Sequence, residues 1–318
     1  MIYKTERIAL SRIDAEDFSF RISTRSDSQA LAVSIKAAGL LSPLLLLAKE
    51  NSQFCIVSGF RRFAACEKVG LPDVEARIFG MDTPHLECVR YAIAENAFQR
   101  ELNPIEISRS LRLLQDYFSE PNQLAESAAE IGLPGNPAII RKLLPLCDLA
   151  SIIQQGILTE SISPVMALEL AELDAESGST LASLFSDLRL SLSKQREIMQ
   201  LLTEIAARDD LAVMDILREK DLQEILADKD ADRGMKARNI RYYLKKWRFP
   251  AITEAEERYG QCVKEMRLGE NLRLIPPKDF EGNVYIFQLS FSSISELEDR
   301  LADLDRIKSE PVLQEIIG

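Results

Sequence analysis

Between Val57 and Ala65 the chain reads Val-Ser-Gly-Phe-Arg-Arg-Phe-Ala-Ala, a strand pattern that passes through Gly59 into a helix carrying Arg61 and Arg62 in its first turn. Such a helix start offers free backbone N–H groups and the positive end of the helix dipole, and glycine lets the backbone approach a ligand closely. The chemistry this predicts is anion binding, in the form of a phosphate cradle. A plain turn in which one arginine caps or pairs locally fits the same spacing, so both readings stand. A second basic feature lies at residues 233–248, RGMKARNIRYYLKKWR, with seven basic residues and no acidic one. On a helix Arg238, Arg241, Lys245 and Arg248 share one face, while Ile240, Tyr243 and Trp247 form another. Contact of Arg238, Arg241, Lys245 and Lys246 with a nucleic-acid backbone is the first expectation, and a solvated charged face is the alternative. An anionic membrane surface is set aside, because the helix sits between segments that read as folded units.

Other chemistries have little material. The five cysteines, at 55, 66, 88, 147 and 262, form no CxxC pair, and His85 is the only histidine. Ligand-spaced metal sites and His-based catalysis are therefore not expected, and the thiols read as reduced and mostly buried. The 318 residues are 46% hydrophobic and 28% charged, an ordinary globular composition for two or three domains. No segment approaches the roughly 18 to 20 apolar residues of a membrane span, and MIYKTERIALSRID has no signal-peptide core, so a soluble, cytoplasmic protein is expected. The net charge of −11 is unevenly placed: residues 101–232 hold 11 Lys and Arg against 24 Asp and Glu, whereas the flanking segments are each near neutral.

The elements that must position these residues follow from periodicity. A short helix over 29–38 ends at Gly39, and the apolar runs LLSPLLLLA, QFCIVSG and VEARIF have strand length. Residues 84–99 read as helix. Asn103-Pro104-Ile105-Glu106 then supplies an N-cap, a proline at the first helical position and a glutamate three residues after the cap. From 104 to 228 the pattern is helical with short breaks, and 228–234 reads as a charged linker. Beyond the basic helix come a helix near 251–267, alternating strands near 271–275 and 284–291, and a last helix from Ser293 or Ser295. In VYIFQLSF the alternation places Tyr285, Phe287, Leu289 and Phe291 on one side and Ile286 on the other, a hydrophobic edge suited to pairing with a second copy.

Three motifs carry a family resemblance: SIKAAGLLSP, then SGFRRFAACEKVGLPDVEARIF, then AIAENAFQRELNPIE. This run, from Leu10 to about Arg100, resembles the N-terminal domain of ParB-type partition proteins. LAESAAEIGL, IIRKLLPLCDLASIIQQGILTESISPVMALELAEL and LSLSKQREI resemble the DNA-binding domain of the same family. The resemblance covers roughly residues 10–205. It implies an α+β ParB/sulfiredoxin-like domain over 1–103, an all-α helix-turn-helix-containing domain over 104–228, and a small α/β dimerisation module with the basic helix over 229–318. It further implies a homodimeric clamp on DNA, controlled by CTP and magnesium and slowly hydrolysing the nucleotide. A ParA-type ATPase is a candidate partner and the nucleoid the implied location.

Carried over residue by residue, Gly59, Arg61 and Arg62 match the phosphate turn, and Glu95 and Asn96 match the second motif, where a carboxylate and an amide can hold magnesium-bound phosphate oxygens. Arg100 stands one residue beyond the family arginine, which turns it by about 100 degrees on a helix. Ser42 replaces a glutamine in the base-recognition stretch, and Phe60 replaces the acidic residue before the arginine pair. Base identity and hydrolysis are left open, and no catalytic residue is assigned. Sulfiredoxin chemistry lacks its thiol, since Phe60 and Arg61 occupy the turn and Cys66 lies down the helix. For DNA reading, Leu124–Ile131, Gly132 and Ala138–Leu144 match the helix-turn-helix, with Asn136, Arg141 and Lys142 as its polar candidates. The leading expectation is thus a nucleotide-switched DNA clamp in partition, nucleoid association or transcription control. The second is a ParB-fold adaptor that has lost operator reading and turnover and acts through protein partners.

Overall fold

The computed structural model describes residues 3–269 and 271–317. The chain divides into two compact units, Met1–Leu192 and Ser193–Gly318. In the first, strands β1 (Tyr3–Ala9), β2 (Ile13–Asp14), β3 (Leu44–Ala48), β4 (Phe54–Ser58) and β5 (Asp73–Phe79) form a mixed sheet in the order β1-β5-β3-β4-β2. β1 runs antiparallel to β5, and β3 antiparallel to β4. β3 with β5 and β2 with β4 are parallel. β1 is hard to read in YKTERIA because most of its side chains are exposed. As an edge strand it depends on main-chain bonds to β5 rather than on an apolar face.

β4 is buried along its whole length, and its alternation feeds two cores. Phe54 and Ile56 join Leu44, Leu46, Ile35, Phe63 and Cys66 under helices α1 (Gln29–Ala38) and α2 (Phe60–Val69). Cys55 and Val57 face the other way, toward Val89 and Ile93 of α3 (His85–Ala97), Leu111 and Leu114 of α4 (Pro104–Gln115), Leu124 and Ala128 of α5 (Pro121–Glu130), and Ile140 of α6 (Pro137–Leu143). This second core runs from the sheet into the helical segment without a break. The expected boundary at 103/104 therefore lies inside one compact unit. Helices α7 (Ser151–Leu158), α8 (Pro164–Ala171) and α9 (Ala175–Asp187) complete it.

The second unit comprises α10 (Leu192–Asp209), α11 (Val213–Leu217), α12 (Lys220–Ala227), α13 (Arg233–Arg248) and α14 (Pro250–Glu265). A two-stranded antiparallel sheet of β6 (Leu272–Ile275) and β7 (Ile286–Leu289) follows, then α15 (Ile294–Lys308) and α16 (Pro311–Ile317). The boundary expected at 228/229 falls within this unit, because ion pairs tie α13 to α10 across it. Tyr285, Phe287 and Leu289 pack on Met266, Leu272, Leu274 and Ile307, as the alternation predicts, while Val284, Ile286, Phe291 and Ile294 are exposed. Phe291, expected on the packed side, lies past the end of β7.

The join between sheet and helices is polar and buried. Asn103 caps α4 in a full capping box: its side chain accepts from the Glu106 N–H at 3.0 Å, and Glu106 Oε2 accepts from the Asn103 N–H at 3.2 Å. Glu106 also accepts from the Thr24 N–H at 2.9 Å and from both terminal nitrogens of Arg100, at 2.6 and 2.9 Å. Its side chain is fully buried. Burial alone would push its carboxyl upward, but Arg100 and the two N–H donors outweigh that and leave it below its ordinary value of 4.5. Because the folded value is the lower one, this contribution is present above the unfolded value and is lost as pH falls through the folded one. Glu106→Ala, which strands Arg100 and the donors, should cost about 3 to 5 kcal/mol in urea unfolding at neutral pH. Glu106→Gln should show a smaller loss of stability than the parent chain on going below pH 4.5.

Candidate functional site

The strand-to-helix turn after β4 is built as its sequence predicts. Gly59 has φ +107°, in the left-handed region, and its carbonyl accepts from the Phe63 N–H at 2.9 Å to start α2. A Cβ at Gly59 would lie 2.8 Å from Leu44 Cδ2 and 3.3 Å from Arg62 Nε, so glycine is required twice, for its conformation and for the approach of the arginine. Arg62 reaches across to the last turn of α3, where it pairs with Glu95, and its Nη1 donates to the carbonyls of Ser42 at 3.2 Å and Pro43 at 2.8 Å. Arg61 donates from Nε and Nη2 to the Asp27 carbonyl, at 3.0 and 2.9 Å.

These groups line one cavity of about 300 Å³. Gly59, Arg61, Arg62, Glu95, Asn96 and Arg100 are all in its wall; Ser42 is not, and serves through its main-chain carbonyl alone. The Asn96 amide donates to the Ala92 carbonyl at 2.9 Å, one turn back. Gln99, at the position where the family has its arginine, also lines the cavity, whereas Arg100 spends its guanidinium on buried Glu106.

The wall also includes Arg21, Ser23 and Arg25, which stand outside the sequence motifs. They sit on an extended segment whose alternate residues Phe20 and Ile22 are sunk in the core. The signal was present as a two-residue alternation, FRISTR, but it lies outside any regular element. Five guanidinium groups thus surround the cavity against one carboxylate, Glu95. Among the described residues no carboxylate pairs with Arg21, Arg25 or Arg61. An electropositive pocket of this size suits a polyanion such as a di- or triphosphate.

The thiols stay out of this chemistry. Cys66 is fully buried, and burial raises its pKa; burial likewise pushes Cys88 up to about 11 and Cys55 up to about 12. Among the described residues, no group of three or more His, Cys, Asp or Glu could hold a metal ion. None of the described helices is long and apolar enough to cross a membrane.

Of the DNA candidates, Asn136 is the N-cap of α6, its side chain accepting from the Ala138 and Ile139 N–H groups. Arg141 and Lys142 are exposed on the same helix. α13 is less free than its charge suggests. Arg241 pairs with Glu197 and Arg248 with Glu204 on α10, and Lys245 and Lys246 reach Glu256 and Glu257 on α14. Only Arg238 of the four expected contacts is exposed and without an acidic partner among the described residues. The buried stripe of α13 is Ala237, Ile240 and Leu244.

Residues 3–97 match the ParB N-terminal domain. Over these residues the chain carries a ParB-type N-terminal domain. It is 26% identical over 179 residues to the probable chromosome-partitioning protein ParB of Helicobacter pylori, covering 56% of this chain and 59% of that protein. It is 32% identical over 159 residues to the corresponding protein of Xylella fastidiosa, covering 46% and 49%. The aligned stretch therefore spans about half the length of these ParB proteins. C-terminally truncated Caulobacter crescentus ParB complexed to the centromeric parS site is 18% identical, over 61% of this chain and 98% of that one, with a TM-score of 0.35.

Gly59→Ala and Gly39→Ala separate two costs at the turn. Both glycines have positive φ, but nothing lies within 4 Å of a Cβ at Gly39. Both variants should lose stability through backbone strain, and Gly59→Ala should lose about 1 to 3 kcal/mol more by crowding Leu44 and Arg62, measured by chemical denaturation.

Proposed function

We propose that the cationic cavity of the first unit binds the phosphates of a nucleoside triphosphate, and that nucleotide binding controls a dimeric ParB-type clamp on DNA in partition, nucleoid association or transcription control. The observation that supports this reading is the set of five arginines around one glycine-started helix. CTP is the nucleotide that the motif resemblance implies. Arg61, Arg21 and Arg25 supply charge that the fold does not neutralise, while Arg62 both donates to phosphate and holds the turn against α3. Magnesium arriving with the triphosphate fits the hard oxygens of Glu95 and Asn96, which are too few for a protein-only metal site and leave room for phosphate and water ligands. The exposed Val284, Ile286 and Ile294 beside the β6–β7 sheet support a self-association surface in the second unit.

Calorimetry with CTP, ATP and GTP in magnesium tests the nucleotide. CTP should bind, and Arg62→Ala should bind about tenfold to a hundredfold more weakly, equivalent to about 1.5 to 3 kcal/mol. Arg25→Ala, whose guanidinium pairs with no carboxylate among the described residues, should weaken CTP without lowering the melting temperature of the free protein. Equal affinities across parent and variants would sink the assignment.

DNA contact is assigned to Arg141 and Lys142 in the first unit and, separately, to Arg238 in the second, because these cations are exposed and have no acidic partner among the described residues. Replacing Arg141 and Lys142 by Gln should flatten the dependence of log affinity on log salt by about 1.8, at roughly 0.9 per phosphate contact. The same change at Arg241 and Lys245 should leave the slope nearly unaltered and lower stability instead. A reversed pattern in salt titrations would restore α13 as the DNA-binding helix. The internal pairing of α13 is also the observation that favours the second reading, an adaptor acting through protein partners.

A further inference from the structure

The second unit holds a groove of about 960 Å³ beside α12 and α13. Its wall is aromatic on one side, with Tyr242, Tyr243 and Trp247, and acidic on the other, with Glu219 and Asp221. The aromatic wall is held in place. The Trp247 indole N–H donates to Asp209 Oδ2 at 2.9 Å, and its carbonyl accepts from Arg208 at 3.0 Å. Tyr243 meets the Trp247 ring edge to face, with centroids 6.0 Å apart.

The acidic wall is unpaired. Glu197, Glu204, Glu256 and Glu257, around the rest of α13, each face a cation, whereas Glu219 and Asp221 are exposed and pair with none among the described residues. Their field is felt inside the groove: burial first, then the carboxylates of Asp221 and Glu219, raise the Tyr243 phenol above its ordinary value. Among the described residues Lys246 is the one cation in the wall. It lies 4.0 Å from Glu257 and 5.9 Å from the Tyr242 ring centroid, an internal instance of the cation and ring contact that this surface favours. The approach is acidic too, with nine Asp and Glu against three Lys and Arg over residues 209–232.

We propose that this groove binds an arginine-bearing segment of a partner protein, with a guanidinium stacked on one ring of the Tyr243–Trp247 wall and paired to Asp221 and Glu219. Arginine suits it because a planar, weakly hydrated cation can stack and pair at once. Unpaired carboxylates flanking an aromatic face give the charge complementarity, and the same carboxylates repel a phosphate backbone.

Trp247 is the only tryptophan in the chain, so its emission reports on this groove alone. Titrating the full chain with a synthetic peptide of alternating Arg and Gly should give a saturable change in that emission, weakened by salt. The double variant Glu219→Gln, Asp221→Asn should bind the peptide about tenfold more weakly. Both side chains are exposed and pair with no cation among the described residues, so the melting temperature should change little. Tyr243→Leu supplies a second variant that keeps the charge and removes a ring, and it should weaken the peptide as well. The proposal is overturned by any of four results: no saturable change, an equal response to a Glu-Gly peptide, unchanged affinity in the charge variant, or a response to single-stranded DNA in place of the arginine peptide.

Discussion

The carboxylate of Glu106 takes hydrogen bonds from three separate stretches of chain, at Thr24, at Arg100 and at Asn103, and every one of them must be in place for a fully buried charge to be tolerated. Thr24 belongs to the segment that carries Arg21, Ser23 and Arg25 into the cavity wall. Arg100 follows α3, whose last turn carries Glu95 and Asn96. Asn103 starts α4, which shares the second core with the sheet. One buried anion therefore sets the cavity wall and the helical segment in a single arrangement, and the price of losing it falls on both.

Charge is distributed by local pairing rather than by the net total. The chain carries −11 overall, yet the cavity beside Gly59 is strongly positive, because among the described residues Arg21, Arg25 and Arg61 meet no carboxylate while the acidic residues concentrate after residue 100. In the second unit the sign is reversed. Four of the seven cations of α13 are paired by α10 and α14, and among the described residues the carboxylates Glu219 and Asp221 beside it are left without a cation. A group's exposed, unpartnered charge governs what it attracts; a paired charge contributes mainly to the geometry of its own fold.

The turn after β4 shows how a local motif acquires two tasks. Arg62 pairs with Glu95 and donates to two carbonyls of the 39–43 segment, so it is a structural tie as well as a cation facing the cavity. Of the two readings that the spacing left open, the local pairing is made by Arg62, while Arg61 has no carboxylate partner among the described residues.

Much of both units was legible in residue order. Gly59 before two arginines, the cap at Asn103, the alternation of VYIFQLSF and the strand at 74–79 depend on bonds made within a few residues, so local pattern was enough to place them. The family motifs fall on the same residues. What residue order did not reveal needed partners far along the chain. Arg21 and Arg25 enter the cavity only because Phe20 and Ile22 anchor an irregular segment in a core made with α3 to α6, and Ser42 is left outside because only its carbonyl faces Arg62. The cations of α13 looked free as a run of seven, but their acidic partners lie as many as 44 residues upstream on α10, and on α14 downstream. Local periodicity records which side chains are apolar or charged, and so determined the elements and the turn from Gly59 into the Arg61–Arg62 helix. Which charges remain unpaired depends on packing between distant segments, and that was decided by the tertiary structure alone.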